Sequence, residues 1–229
     1  MSLFHWKKKK QPLPPKTPSS PTLPSSARLL SYQAGNLQGI GTRKQQEDSF
    51  AFVHAMDVTE IRKKGLMAIV ADGMGGMKGG RQASETVIAC LKEDFQHMNP
   101  EENLADQLRD SIFHASEKVH ALLNGEGGST IVVCIIFQEQ LYFASVGDSY
   151  FYLKRRDHLY KLNQEHTAGN YLYLKTIRSG SMDPLPAKAN PEAEALTQFL
   201  GMDDLEKIDY SRRPLPLLNG DRLLLCSDG

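Results

Sequence analysis

The 229-residue sequence contains only three cysteines, carries no net charge and has no long apolar run. Its longest unbroken apolar segment, Ile131 to Phe137, has seven residues, whereas a membrane-spanning helix needs about 20. Cys90, Cys134 and Cys226 are widely spaced and form no C-x-x-C pair, so neither a disulfide framework nor a zinc site is expected. The early lysines are followed by proline-rich sequence instead of the apolar stretch of a secretory signal. These absences predict a protein of the reducing cytoplasm with no membrane span.

The zero net charge hides an asymmetry between the first 27 residues and the rest. Residues 1–27 contain five lysines, no acidic residue, and six of the twelve prolines. We interpret them as a disordered basic arm, since they cannot bury enough apolar surface to offset backbone ordering; Lys7 to Lys10 are a weaker candidate for contact with anionic lipid. Residues 28–229 show no further linker and are expected to form one domain. They carry an excess of acidic residues, which argues against nucleic-acid binding.

Two segments have helical periodicity. Apolar residues recur at four-residue spacing from Gly80 onward, and residues 104–122 carry a second apolar stripe. For the second helix the sequence predicts Asn99 as the N-cap, Pro100 as the first helical residue, and an end at Asn124-Gly125.

Short β-rich runs outnumber these helices. Several are joined by only a few residues, which permits antiparallel neighbours but not the long crossover of a parallel sheet. The predicted fold class is therefore α+β with antiparallel sheets. The predicted strands are Phe50–His54, Leu66–Ala71, Ile131–Phe137, Leu141–Val146, Tyr150–Leu153 and Arg222–Cys226.

Carboxylates recur where these apolar runs stop or start. Asp72, Asp148 and Asp228 each follow a run, and Glu47-Asp48 precedes another. An Asp-Gly pair is often just a turn, but several carboxylates brought together would repel one another unless a cation neutralised them. Oxygen ligands without paired Cys or His favour Mg²⁺ or Mn²⁺. Spacing alone leaves the turn and the metal site both open.

Six segments, taken in order, resemble the metal-dependent protein serine/threonine phosphatases of the 2C type. They are GTRKQQEDSF (41–50), IVADGMGGMKGGRQAS (69–84), GGSTIVV (127–133), ASVGDSYFYL (144–153), NQEHT (163–167) and GDRLLLCSDG (220–229). The resemblance spans about residue 36 to the last residue, and Met74, where animal members tend to have His, is typical of a bacterial member. It implies a four-layer αββα sandwich, with two central antiparallel β-sheets flanked by helices.

The resemblance also implies a centre of two Mg²⁺ or Mn²⁺ ions, with a third, weaker ion in some members. Asp72 matches the residue that bridges the two ions, and the carbonyl of Gly73 matches a ligand of the second. Asp228 matches a ligand of the first ion, and Asp148 matches the residue that helps to hold the third.

Three further residues match functional positions of the family. Glu47 and Asp48 match acidic residues that orient metal-bound waters, and Arg43 matches the residue that grips the substrate phosphate; a surface salt bridge is the alternative role for Arg43. The implied activity is hydrolysis of phosphoserine and phosphothreonine in proteins by a metal-bridging water, with Arg43 and Asp72 as catalytic residues. The expected partners are phosphoprotein substrates and a cognate Ser/Thr kinase, and the expected state is a monomer.

Three questions remain open at this point. His166 could act as a general acid, although a packing role is favoured. The family continues past Ser-Asp-Gly to another Asp ligand, whereas this sequence stops at Gly229; we expect a truncated sequence, the alternative being an end that lacks this ligand. The rival function is a catalytically inactive phosphatase-like module that binds phosphoproteins or scaffolds a signalling complex.

Overall fold

The computed structural model describes residues 31–43, 45–75, 79–180, 183, 187 and 189–228. The arm predicted at residues 1–27 lies outside them, and the domain boundary at residue 28 stays a prediction. The elements in chain order are β1 (Asp48–Val53), α1 (Val58–Lys64), β2 (Leu66–Met74), α2 (Gly79–His97), α3 (Leu104–Leu123), β3 (Gly128–Ser129), β4 (Ile131–Phe137), β5 (Gln140–Val146), β6 (Tyr150–Arg155), β7 (His158–Lys161), α4 (Ala168–Arg178), β8 (Asp209–Tyr210), β9 (Leu215–Pro216) and β10 (Arg222–Cys226).

The strands form two antiparallel sheets, which confirms the predicted α+β class. The larger sheet has the order β1-β2-β4-β5-β8, with β3 paired to β2 and β9 to β5, and the smaller has the order β10-β6-β7. The connection between β4 and β5 is a two-residue turn in which Gln138 and Glu139 both have positive φ. This is the turn geometry whose twist matches that of the paired strands.

Strand β4 lies at the centre of the core because it is buried on both faces. All seven of its residues are buried, and successive side chains point to opposite sides of a strand. Ile131, Val133 and Ile135 pack in the core under the helices, whereas Val132 and Ile136 pack in the core shared with the smaller sheet. Each such side chain stabilises the fold by about 1.5–3 kcal/mol.

Helices α2 and α3 cover the outer face of the larger sheet, and one predicted cap is wrong. The helices contribute Val87, Leu91, Leu108 and other apolar residues to the core. Helix α3 ends at the predicted Asn124, which has the left-handed conformation, but its N-cap is Asn103, whose side chain accepts from the N–H groups of residues 105 and 106. Asn99 instead closes the preceding turn, where its side chain accepts from the N–H of residue 101.

Other differences from the predicted elements have local causes. Strand β2 continues past Ala71 because its end pairs with β3. Helices α1 and α4, which were not predicted, contain no fully buried residue and therefore contribute little to the core. On the smaller sheet, Leu159 and Leu224 are exposed, so these positions are not covered by another layer of the described residues. The described residues therefore form three layers of the expected sandwich, namely the helices α2 and α3, the larger sheet and the smaller sheet. None of the helices in the described part of the chain combines the length and apolar character needed to cross a bilayer.

Candidate active site

The structure brings three of the predicted acidic residues to one end of the sheets. Asp48 in β1 lies directly opposite Asp72 in β2 in the antiparallel register. Asp228 follows β10 of the smaller sheet, and the preceding residue, Ser227, donates a hydrogen bond of 3.2 Å from Oγ to Asp48 Oδ2. The two sheets therefore meet at these carboxylates, although they are far apart in sequence.

Burial and the repulsion of neighbouring carboxylates make Asp72 and Asp148 harder to ionise. Burial, with the nearby charges of Asp48 and Asp228, raises the pKa of Asp72 from 3.8 to about 7. Burial and the charge of Asp228 also raise the pKa of Asp148, so this residue belongs to the same electrostatic cluster. No group of three or more His, Cys, Asp or Glu side chains within the described ranges is arranged so that it could hold a metal ion as it stands. The carboxylates are thus near enough to destabilise one another without forming a closed ligand set.

Gly73, the predicted carbonyl ligand, lies where β2 touches the start of α2. A Cβ atom at Gly73 would overlap the carbonyl of Gly80 and come within 2.9 Å of the Glu47 carbonyl oxygen. Only glycine allows these backbones to approach so closely. The Glu47 carbonyl also accepts hydrogen bonds from the Gly73 N–H at 3.3 Å and from Ser84 Oγ at 2.5 Å. These contacts fix the main chain around Glu47 and Gly73.

Arg43, the predicted phosphate ligand, lies in an exposed turn five positions before Asp48. Its main-chain N–H donates to the Ile40 carbonyl at 3.1 Å. Among the described residues, no hydrogen bond or ion pair occupies its guanidinium group. The side chain is therefore accessible to an anion from solvent, and the surface salt bridge considered as an alternative is not seen in the described part of the chain.

A layer of buried hydroxyl groups lies beneath the carboxylates, and it was not predicted. Thr130 Oγ1 accepts from the Asp72 N–H at 3.3 Å and is 2.7 Å from Ser149 Oγ. The Ser129 hydroxyl donates to the Asp72 carbonyl at 3.0 Å. Each of these hydroxyl residues is itself part of GGST (127–130) or GDS (147–149), and membership of these motifs was the only signal in the sequence that could have indicated them.

His166 supports the turn before Asp148 and has the properties of a packing residue. The ring Nδ1 of His166 accepts from the Gly147 N–H at 3.1 Å. The main-chain N–H of His166 donates to the Gly147 carbonyl at 2.8 Å. Burial, with a smaller contribution from Lys207, lowers the pKa of His166 to about 4. The ring is therefore neutral near pH 7, and its Nδ1 is already used. This geometry agrees with the packing interpretation and not with a general acid.

Comparison with known protein families matches residues 32–172 to Protein phosphatase 2C. The chain belongs to the protein phosphatase 2C family. The match covers more than half of the 229 residues and includes the predicted site positions from Arg43 to Asp148. The predicted family and enzyme class, the protein serine/threonine phosphatases, are thus confirmed.

Bacterial serine/threonine phosphatases share both sequence and fold with this chain. The serine/threonine phosphatase stp of Listeria innocua is 32% identical over 183 residues, which are 75% of this chain and 69% of that protein. The structure of the Ser-Thr phosphatase MsPP from Mycobacterium smegmatis, in complex with cacodylate, has a TM-score of 0.61 at 26% identity and covers 81% of this chain and 73% of that one. The S. agalactiae serine/threonine phosphatase gives a TM-score of 0.64 at 25% identity, with 80% and 73% covered.

Proposed function

We propose that the protein hydrolyses phosphoserine and phosphothreonine in proteins, and that the reaction depends on divalent cations at the strand-end carboxylates. Membership of the protein phosphatase 2C family supports the reaction class. The observation that carries the proposal of a cation is the convergence of Asp48, Asp72 and Asp228 where the two sheets meet. In agreement with it, burial and the charges of Asp48 and Asp228 raise the pKa of Asp72 to about 7. A chain that assembles such repelling groups at one place gains stability when a cation neutralises them.

The donor atoms present fit Mg²⁺ or Mn²⁺. We propose that the carboxylates of Asp72 and Asp228 and the carbonyl of Gly73 hold two ions, and that Asp148 helps to hold a third, weaker one. All four residues offer oxygen, the donor that these hard cations prefer. When bound, such ions lower the pKa of coordinated water and stabilise negative charge on phosphate oxygens.

The chain's own residues would bind the substrate and orient the attacking water. Arg43 is accessible, and its guanidinium fork can pair with two phosphate oxygens. Ser227 donates to one oxygen of Asp48, which fixes this carboxylate opposite Asp72, where it would orient the attacking water. Glu47 would act in the same way, with its main chain fixed by Gly73 and Ser84. The new P–O bond forms to water, the P–O bond to the serine or threonine breaks, and a proton passes to the departing oxygen.

The rival function, an inactive module that binds phosphoproteins, is not favoured. The relatives are named phosphatases, and all the predicted acidic residues and Arg43 are present. We also propose, as expectations from the family resemblance, that the protein acts opposite a Ser/Thr kinase, as a monomer and in the cytoplasm.

The test is the release of phosphate from a phosphothreonine peptide with Mn²⁺ and with a chelator. We expect activity only with Mn²⁺, and a loss of more than about 100-fold in Asp72→Asn. Asp94→Asn is the matched control, because Asp94 is also a partly buried carboxylate but pairs with His114 between α2 and α3. Equal rates with the chelator, or full activity in Asp72→Asn, would contradict the proposal. A folded chain that binds the peptide without releasing phosphate would support the inactive module.

A further inference from the structure

Two buried hydroxyl groups, those of Thr130 and Ser149, connect the chain segments beside the predicted ligands Asp72 and Asp148. Thr130 lies just before β4 and Ser149 lies just before β6, and their side-chain oxygens are 2.7 Å apart. They are only 2% and 1% exposed. Hydroxyls this deeply buried are costly unless they are hydrogen-bonded, so the pair persists only while both residues keep their places.

Thr130 holds the main chain of Asp72 from two directions. Its hydroxyl oxygen accepts the Asp72 N–H at 3.3 Å, and its own N–H donates to the Asp72 carbonyl at 2.8 Å. A hydroxyl can accept one hydrogen bond and still share another with a second hydroxyl. The Thr130 side chain can therefore bind Asp72 and Ser149 at the same time.

Thr130 also packs against the turn that carries Asp148. A Cβ atom at Gly147 would be only 2.6 Å from Cβ and Cγ2 of Thr130, so the threonine methyl group rests directly on the Gly147 backbone. Asp148 is thereby placed between two residues, Gly147 and Ser149, that both contact Thr130.

The contact between the Thr130 and Ser149 hydroxyls forms a bridge, and its Ser149 side is fixed as well. Asn163, which is 4% exposed, donates from Nδ2 to the Ser149 carbonyl at 2.9 Å and accepts the Phe151 N–H at 2.8 Å. Ser149 therefore has a fixed main chain as well as a fixed hydroxyl. A displacement at Asp72 is resisted by Ser149, and a displacement at Ser149 is resisted by Asp72.

We propose that Thr130 is a positioning residue whose hydroxyl, bonded to both the Asp72 N–H and Ser149, fixes Asp72 and Asp148 relative to each other before any cation binds. The coupling of the two strand ends is a property of the metal-free chain. Its effect on cation affinity rests on the proposed function.

Three variants separate the hydroxyl from the rest of the side chain. Thr130→Val keeps the shape and removes the hydroxyl, Thr130→Ser keeps the hydroxyl and removes the methyl group, and Ser149→Ala removes the other end of the bridge. Ser116→Ala is the matched control, because the Ser116 hydroxyl is 4% exposed and accepts the Gly201 N–H at 3.0 Å. It removes a buried hydroxyl of the same kind from α3 without touching the bridge.

The first measurement is amide hydrogen exchange in the metal-free 229-residue chain. We expect Thr130→Val to speed exchange at both Asp72 and Asp148-Ser149 by about tenfold, the effect of losing one hydrogen bond. Ser149→Ala, which makes no direct bond to Asp72, should speed exchange at the Asp72 amide across the bridge. Thr130→Ser should remain within about threefold of the wild type, and Ser116→Ala should change neither site beyond its effect on global stability.

The second measurement is Mn²⁺ titration by calorimetry, which does not depend on turnover. We expect Thr130→Val to weaken Mn²⁺ binding by about tenfold or more, and Ser116→Ala to leave it unchanged. The inference is overturned if Thr130→Val speeds amide exchange only at Asp72, or if Ser149→Ala speeds it only at Asp148-Ser149. It is also overturned if Thr130→Val binds Mn²⁺ as the wild type does. A wild-type chain that binds no Mn²⁺ would refute the cation part of the proposed function, and exchange alone would then decide the role of Thr130. Should Thr130→Val fail to fold, Ser149→Ala decides it.

Discussion

Replacing Gly73 with alanine should damage both the fold and the predicted cation site. The added Cβ would overlap the Gly80 carbonyl and lie within 2.9 Å of the Glu47 carbonyl oxygen. Since contacts of this kind are comfortable only from about 3.5 Å, the overlap with the Gly80 carbonyl would force the end of β2 and the start of α2 apart by about 1.5 Å. Overpacking of this kind costs about 1–3 kcal/mol. For a chain of this size, that lowers the Tm by about 3–10 °C.

The same displacement should weaken cation binding, because ligand distances in a metal site tolerate only about 0.2 Å. The assay is thermal unfolding with a chelator and with excess Mn²⁺. Gly73→Ala should have a lower Tm in both conditions and a smaller gain from Mn²⁺ than the wild type. Gly79→Ala is the control, because a Cβ there meets its nearest neighbour, the Glu126 carbonyl, at an ordinary 3.4 Å. A Gly73→Ala protein with the Tm and the Mn²⁺ gain of the wild type would refute the reasoning.

Two further predictions concern Arg43 and the titration of Asp72. Arg43→Ala should raise KM about tenfold or more with a smaller change in kcat. Because the Arg43 side chain is exposed, the free energy of unfolding should shift by less than about 0.5 kcal/mol. Steady-state kinetics and thermal melts check this, and a large loss of stability would show a structural role instead. The raised pKa of Asp72 means that, between pH 3.8 and about 7, the metal-free folded state keeps a proton that the unfolded state has released. The free energy of unfolding should therefore fall as the pH rises through this window. The full shift corresponds to about 4 kcal/mol, reduced by solvent screening to on the order of 1–2 kcal/mol. Urea denaturation from pH 4 to 8 should show a flatter profile for Asp72→Asn, and an identical slope in the two proteins would contradict it.

The predictable parts of the fold are those in which burial determines the sequence. The bounds of Ile131–Phe137 and Arg222–Cys226 were predicted without error, because an apolar run flanked by turn residues has few alternatives. Strand β7 was missed because all its residues are exposed, and α4 was missed although its residues are mostly partly buried, because none of them is fully buried. The cap at Asn99 was wrong because two asparagines four positions apart both suit a cap, and only the packing of α3 selects Asn103.

The residues of the candidate site also fall into a group that the sequence predicts and a group that only the folded structure reveals. The acidic residues were recognisable because three of them follow apolar runs of strand length and because the motifs resemble a known family. Thr130 and Ser149 were not, because their importance comes from a contact between residues 19 positions apart. The lowered pKa of His166 likewise depends on its burial and on the charge of Lys207, and neither can be read from the histidine itself.

The hydrogen bond between Ser227 and Asp48 joins residues that are 179 positions apart. During synthesis, Asp228 is made 156 residues after Asp72, and a domain generally folds as one unit. Until Asp228 has been made, the carboxylate cluster lacks one of its three members. If cations bind where we propose, a half-made chain cannot bind them as the finished one does, and dephosphorylation would begin only after β10 has taken its place beside β6.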